Sequence, residues 1–228
     1  HEMLASVAVK NHYNGARDPY AHFQNEITIE DVLKSVPVCH PLNLLDCCPQ
    51  TDGAAAVLLV SAERAAEFTD NPVFVAGFGV ATDHPYLHEK STFTGLRATT
   101  LAAERAYKMA GVEPGQIDCA EVHDCFTITE ILDIEDLGFV EKGKGGVASL
   151  EGETSLTGRI PINTSGGLLA KGHPIGATGI AQIVECWWQL RGQAEERQVE
   201  IRNGFALQHN VGGRGSGVSV INILTNRA

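Results

Sequence analysis

Three short stretches carry residue types that can do chemistry. The first, Gly166 to Gly179, reads GGLLAKGHPIGATG and sets His173 between Gly172 and Pro174. Glycine lets the backbone turn tightly there, and proline suits a first helical turn because its missing N–H would be unpaired in that position. On this reading a loop ends and a helix begins at His173. A positive helix end disfavours imidazolium, so the ring is expected to be neutral near pH 7, accepting a proton on one nitrogen and donating from the other. Such a histidine activates a nucleophile or holds an oxyanion. The second stretch is His123-Asp124-Cys125-Phe126, which pairs an imidazole with a thiol. Cys125 is an acid/base if its pKa falls toward neutrality, and otherwise a small buried hydrophobe. The third, Asn210 to Gly213, offers backbone N–H groups in a glycine-rich turn.

The elements that must position these residues read as α/β. Ile117 to Val122 is a short apolar run expected to be a buried strand that delivers His123 and Cys125 at its C-terminal end, where α/β sheets gather ligands. Ile180, Ile183, Val184, Trp187 and Leu190 recur at helical spacing after His173. Phe205 to His209 and Gly217 to Leu224 are strand candidates, so all three stretches are expected to converge on one cleft. Upstream, Ala5 to Lys10 looks like the interior of a helix without a cap, so a fragment or one half of a split protein is expected. Residues 11 to 26 mix Asn, Gly, Asp and Pro and read as a long surface loop. Thr28 is placed to cap a short helix, with Glu30 and Asp31 in its first turn. The run AAAVLLV from Ala54 to Val60 looks like a strand buried on both faces, followed by the helical AERAAEF. Val73 to Val80 is another strand, and Leu96 to Ala110 a helix ended by Gly111. A cap at Thr127 or Thr129 should start a helix to about Leu137, and Gly143 to Gly158 reads as a mobile, glycine-rich loop.

Composition sets outer limits. The 228 residues are 43% apolar, enough for a sizeable core. A formal charge of −11, from 17 Lys and Arg against 28 Asp and Glu, argues against a nucleic-acid surface or an anionic membrane surface. No apolar run reaches the ~18 residues of a membrane span, and a cytoplasmic location is expected. The six cysteines contain no C-x-x-C pair and are expected to be reduced thiols with no metal.

INTSGGLLAKGHPIGATG, VHDCF and LQHNVGG, in that arrangement, resemble the C-terminal half of a thiolase, most of all the sterol carrier protein x type and its archaeal and bacterial acetyl-CoA acetyltransferase relatives. The resemblance extends over most of the chain, from KNHYNG through CCPQTDGAAAVLLVS and WWQLRG. It implies a layered αβαβα core of which this chain supplies mainly the C-terminal half. Residues 1–52 would be the end of the loop region that covers coenzyme A, residues 53–71 the last strand and helix of the first half, and residues 72–228 the second half.

The implied chemistry is reversible Claisen condensation or thiolysis of a 3-ketoacyl-CoA with acetyl-CoA. His173 would activate the nucleophile and help to hold the thioester oxygen, and His123 would replace the asparagine that serves the same oxyanion hole in common thiolases. Most thiolases carry C-x-G at the last loop, whereas this chain has Asn210-Val211-Gly212, and an amide cannot exchange a proton usefully. Cys125 would take the acid/base role, while Gly212, with Asn210, would serve the second oxyanion hole. Ser165, Gly166 and Gly167 would hold coenzyme A. The nucleophilic cysteine belongs to the family's first half, so this chain alone should not turn over. Coenzyme A thioesters would be substrates, with no permanently bound cofactor. A homodimer or higher oligomer, a separate N-terminal half and an OB-fold acyl-CoA-binding protein are the implied partners. A thiolase-like steroid side-chain aldolase and a non-catalytic acyl-CoA-binding or partner-binding subunit remain as alternatives.

Overall fold

The computed structural model describes residues 1–227, Arg214 by its backbone alone. In chain order the main elements are α1 (Glu2–Gly15), α2 (Ile29–Lys34), β1 (Pro37–Cys39), β2 (Leu42–Asn43), β3 (Phe74–Thr82), α3 (Arg97–Ala110), β4 (Cys119–Glu121), α4 (Thr127–Asp136), α5 (Gly145–Leu150), α6 (Gly167–Ala170), α7 (Thr178–Arg191), β5 (Phe205–Gly212) and β6 (Val218–Thr225). Four strands form a mixed sheet in the order β3-β6-β5-β4, antiparallel except for the parallel β4–β5 pair.

The two-residue period of β5 shows how the sheet divides its chemistry between faces. Leu207 joins Ala102, Ala106, Ile134, Ile221 and Ile223 in the core beneath α3 and α4. Ala206 points the other way and packs with Cys186, Leu190 and Leu224 beneath α7. The helix α3 lies unusually near β3. A Cβ on Gly79 would stand 1.9 Å from the carbonyl oxygen of Ala102, so only glycine permits this approach. The alanines of α3 supply the matching small face, with Ala98, Ala102, Ala103 and Ala106 all buried.

Most expected elements are present, and the departures have physical reasons. Thr28 does cap α2, accepting from the Asp31 N–H while the Asp31 carboxylate accepts from the Thr28 N–H, and Gly111 ends α3 in the left-handed conformation. The helix α4 begins at Thr127 without a side-chain cap, because the Thr127 hydroxyl instead donates to Asp46 Oδ1 at 2.9 Å. Residues 11–15 are the last turn of α1 and not loop. Their polar side chains are buried against internal acceptors: Asn11 Nδ2 donates to Asp124 Oδ2 at 2.7 Å, and Asn14 Nδ2 to the Asn163 carbonyl at 2.9 Å. Part of Gly143–Gly158 is the helix α5, packed on α1, with the Gly145 N–H held by Glu135 Oε1 at 2.8 Å.

The run Ala54–Val60 forms no strand among the described residues. Leu58 and Leu59 are 72% and 78% exposed. A strand needs a neighbouring backbone to pair its N–H and C=O groups, and among the described residues none pairs with this segment. Among the described residues no helix is long and apolar enough to cross a membrane.

Candidate active site

Parallel strand β4 ends at Glu121 and releases His123 and Cys125 into the loop before α4. Asp124, between them, is completely buried and anchors the loop. Its Oδ1 accepts the Leu168 N–H at 2.7 Å, and its Oδ2 accepts from Leu169 N at 3.2 Å and from Asn11 Nδ2 at 2.7 Å. Leu168 and Leu169 belong to α6, and the chain reaches His173 only four residues after Leu169. The carboxylate therefore ties the His123–Cys125 loop directly to the segment that carries His173. A second tie comes from residues 46–51, where Cys47 bridges antiparallel to Phe126 and Gln50 bridges parallel to His173. Gly172 takes φ +101°, and a Cβ there would lie 2.5 Å from Thr51 Oγ1, so the turn into His173 requires glycine.

The two imidazoles meet edge to face, with centroids 5.0 Å apart and an interplanar angle of 88°. Burial, followed by the charges that His173, His209 and Lys171 would carry beside it, pushes His123 down to about 3. The same causes, burial first and then Lys171, lower His173. Both rings are neutral at pH 7, which the sequence reading suggests for His173 alone, and there the physical cause is different. The helix α7 starts at Thr178, five residues beyond His173, so a helix end is not what keeps the ring uncharged.

Thr178 settles the tautomer of His173. Its hydroxyl donates to the Pro174 carbonyl at 3.0 Å and contacts His173 Nδ1 at 2.8 Å. A hydroxyl has one hydrogen, so both contacts are satisfied only if Nδ1–H donates to Thr178. That leaves Nε2 with its lone pair free, the form of a general base.

Cys125 is half-buried, with Sγ 3.8 Å from Thr129 Oγ1. Burial pushes its thiol up to about 11, with the charges of Asp124 and Asp133 working in the same direction against the hydrogen bond to Thr129. At neutral pH it rests as a thiol: the pKa rises and does not fall toward neutrality as the sequence reading required, so the sulfur can give a proton directly and must first be ionised before it can take one from carbon. Asn210 lies on β5, where its Nδ2 donates to Gln182 Oε1 at 3.1 Å; Gln182 in turn donates to the Val122 carbonyl at 3.0 Å. The third loop is thus tied to the strand end that releases His123. Gly212 is the last residue of β5 and is exposed, with nothing within 4 Å of where a Cβ would be.

Ser165, Gly166 and Gly167 do not face a ligand. All three are buried, and their backbone N–H groups are used internally: Ser165 to Glu121 Oε1 at 3.0 Å, Gly166 to the Asn163 carbonyl at 2.9 Å and Gly167 to Ser165 Oγ at 3.3 Å. None of the three leaves a free backbone N–H for the coenzyme A role that the resemblance implies. They pack the α6 turn against α1 and Glu121.

Comparison with known proteins decides the family. A family profile described as thiolase C-terminal domain-like matches residues 79–226, well over half of the chain. The chain belongs to the thiolase family. Acetyl-CoA acetyltransferase of Methanothermobacter thermautotrophicus is 52% identical over 96% of this chain and 57% of its own length. Sterol carrier protein 2 of Oryctolagus cuniculus is 40% identical over 95% of this chain and 40% of its own. Among solved structures, the Ltp2-ChsH2(DUF35) aldolase superposes with a TM-score of 0.85 at 27% identity, covering all of this chain and 59% of that one. The chain spans about half the length of the curated relatives it matches.

In this thiolase-family chain the residues missed by inspection of the motifs are the supports. Asp124 lies inside the H-D-C-F motif and could have been singled out as the acidic residue between two reactive ones. Thr178, at the start of α7, had no signal beyond its place five residues after His173. Glu121, buried and raised to about 7 by desolvation first and Glu185 second, holds Ser165 through both of its oxygens.

Proposed function

We propose that this chain supplies the acid/base half of a thiolase-type acyltransferase, which joins or thiolytically cleaves a 3-ketoacyl-CoA with acetyl-CoA. The observation that carries the reading is the pair of neutral imidazoles in edge contact, with the free Nε2 of His173 beside a loop presenting Cys125. In the first step His173 Nε2 takes the proton of an attacking thiol. The imidazolium so formed then offers that N–H, with the neutral His123 ring, to the oxygen that gains charge. In thiolysis the Cys125 thiol gives its proton to the departing acetyl enolate, and its high pKa suits that direction. In condensation the same sulfur must first lose its proton. Gly212 and Asn210 serve the second oxyanion hole.

The attacking thiol is assigned to sequence outside these 228 residues. Cys119 and Cys186 are buried with pKa values far above the ordinary thiol, and Cys47, Cys48 and Cys125 are raised as well, burial being the main cause in each, while Cys39 is exposed on β1, which pairs with β2 alone among the described strands. Coenzyme A thioesters are the proposed substrates. The proposed partners are a chain carrying the remaining thiolase half, a further copy of this chain, and a DUF35 protein of the kind in the aldolase complex. A cytoplasmic location belongs to the same proposal.

The superposition on an aldolase favours a second reading, retro-aldol cleavage of a 3-hydroxyacyl thioester. One assay separates the two. The complete protein is given acetoacetyl-CoA and free CoA. Thiolysis consumes the CoA thiol and yields two acetyl-CoA, whereas an aldolase leaves CoA untouched and cleaves only the hydroxy substrate.

A further inference from the structure

The antiparallel bridge between Cys47 and Phe126 fixes the register of the residues beside it. Cys48 therefore stands directly opposite Cys125, and its N–H donates to the Cys125 carbonyl at 3.0 Å. Residues that exchange both such bonds have Cα atoms about 5.5 Å apart; Cys48 and Cys125 share one of the two, beside the Cys47–Phe126 bridge, which brings them close to the roughly 4.4–6.8 Å that a disulfide spans. Two residues on, Gln50 bridges His173 instead, so the pair sits at the end of the short antiparallel contact. Both thiols are free and half-buried. The remaining cysteines lack this arrangement. Cys47 faces the other side of its strand and donates to the Asn43 carbonyl at 3.4 Å. Cys39 is exposed on β1, and Cys119 and Cys186 are sealed in the core beneath α7.

We propose that Cys48 and Cys125 are an oxidation site and close into a reversible intrachain disulfide when the protein meets a peroxide. One thiolate attacks a peroxide oxygen and the O–O bond breaks, giving a sulfenic acid and, after protonation, water. The partner thiolate then attacks the sulfenic sulfur and expels hydroxide, which leaves as a second water. Two thiols thus lose two protons and two electrons, which reduce one hydrogen peroxide to two waters. Nothing is added to the protein, which loses two hydrogens.

The rate has a defined pH dependence. Burial first, then the neighbouring Cys125, Asp124 and Cys47, pushes Cys48 up to about 12, while Cys125 stands at about 11 beside Asp124 and Asp133. The thiolate is the attacking form, so oxidation is slow at pH 7 and rises about tenfold per pH unit toward pH 9. If the acid/base role proposed for Cys125 holds, the oxidised protein also loses proton transfer and recovers it on reduction.

The test is the complete protein, treated with hydrogen peroxide at pH 7, 8 and 9, alkylated with iodoacetamide, digested without reduction and mapped by mass spectrometry. The expected result is a peptide linking the Cys47-Cys48 segment to Cys125, reversed by dithiothreitol, kept in Cys47→Ser and absent from Cys48→Ser. In Cys48→Ser, Cys125 should instead stop at, or pass beyond, the sulfenic acid. The proposal is overturned if no linked peptide forms in the wild-type protein, if the link survives Cys48→Ser, or if Cys125 of the wild type passes to the sulfinic and sulfonic acids as fast as in Cys48→Ser. The mapping needs no catalysis, so its outcome is independent of the acyltransferase reading.

Discussion

Replacing Asp124 by asparagine sets two effects of similar size against each other, and pH separates them. Asparagine keeps one carbonyl oxygen for the Leu168 N–H, but turns an NH₂ toward Leu169 N and Asn11 Nδ2, which both donate to Asp124 Oδ2 in the native chain. Two buried N–H bonds are lost, one from Leu169 N and one of the two that Asn11 Nδ2 makes, the other going to Glu130 Oε2 at 3.0 Å, and each lost bond costs ~1–3 kcal/mol. Against this stands the cost of the buried charge. Burial first, and then the Glu130 charge, raises Asp124 from 3.8 to about 7. At ~1.4 kcal/mol per unit, that is on the order of 4 kcal/mol once the group is ionised.

The sign follows from proton binding. Between pH 3.8 and about 7 the unfolded chain has released this proton and the folded chain still holds it. The Asp124 contribution is therefore full below the unfolded pKa and lost as pH rises through the folded one. The destabilisation caused by Asp124→Asn should be about 2–6 kcal/mol at the acid end of this window and shrink by roughly 4 kcal/mol toward pH 8. His123, lowered to about 3, gives the wild type the opposite slope, and Glu121, raised to about 7, the same slope. Both are present in the variant and cancel in the difference. Urea unfolding of both proteins followed by far-ultraviolet circular dichroism, at about pH 4.5, 5.5, 6.5 and 8, measures that difference. A variant that loses the same stability at every pH would refute the reasoning, because Asp124 would then ionise as an ordinary carboxylate.

Two further predictions test other joints of the structure. Gly79→Ala puts a Cβ 1.9 Å from a helix carbonyl oxygen that cannot swing away, and should lower stability by about 1–3 kcal/mol or more. Gly115→Ala, with nothing within 4 Å, is the control and should unfold at the wild-type denaturant concentration. Thr178→Val keeps shape but removes the acceptor for His173 Nδ1–H. With a hydrogen bond worth about 1.5 kcal/mol, enzyme acylation by a thioester should slow roughly tenfold, and an unchanged rate would remove Thr178 from the account.

What could be read from the chain beforehand was whatever depends on local pattern. The period of β5 and β6, the cap at Thr28, the left-handed stop at Gly111 and the strand end that releases His123 are all local signals. The failures came where a partner decides. Ala54–Val60 has strand composition but no neighbour to pair with. The face that α7 buries carries Gln182, Glu185 and Gln189 beside Cys186 and Leu190; of the other expected apolar positions Ile183 packs against that cluster while Ile180 and Trp187 stay half-buried, and the polar groups are accommodated because they bond to the Val122 carbonyl, Gln208 and Arg197. The motifs pointed to His123, Cys125 and His173, whereas Asp124 and Thr178 act through hydrogen bonds whose acceptors and donors lie tens of residues away or depend on the local turn. The close approach of Gly166 to α1 and of Gly167 to Asp124 was illegible for the same reason, since both neighbours are distant in sequence.

The central claim is that Cys125 moves the proton at carbon while the two histidines serve the acyl step. The direct measurement is deuterium exchange at the acetyl methyl group of acetyl-CoA by the complete protein, wild type against Cys125→Ala, with acylation by a chromogenic thioester followed in parallel. Loss of a general acid/base removes about 10²- to 10⁴-fold, so exchange should fall by that factor while acylation stays within a few-fold of wild type. Exchange at the wild-type rate in Cys125→Ala would contradict the claim and make Cys125 a packing residue.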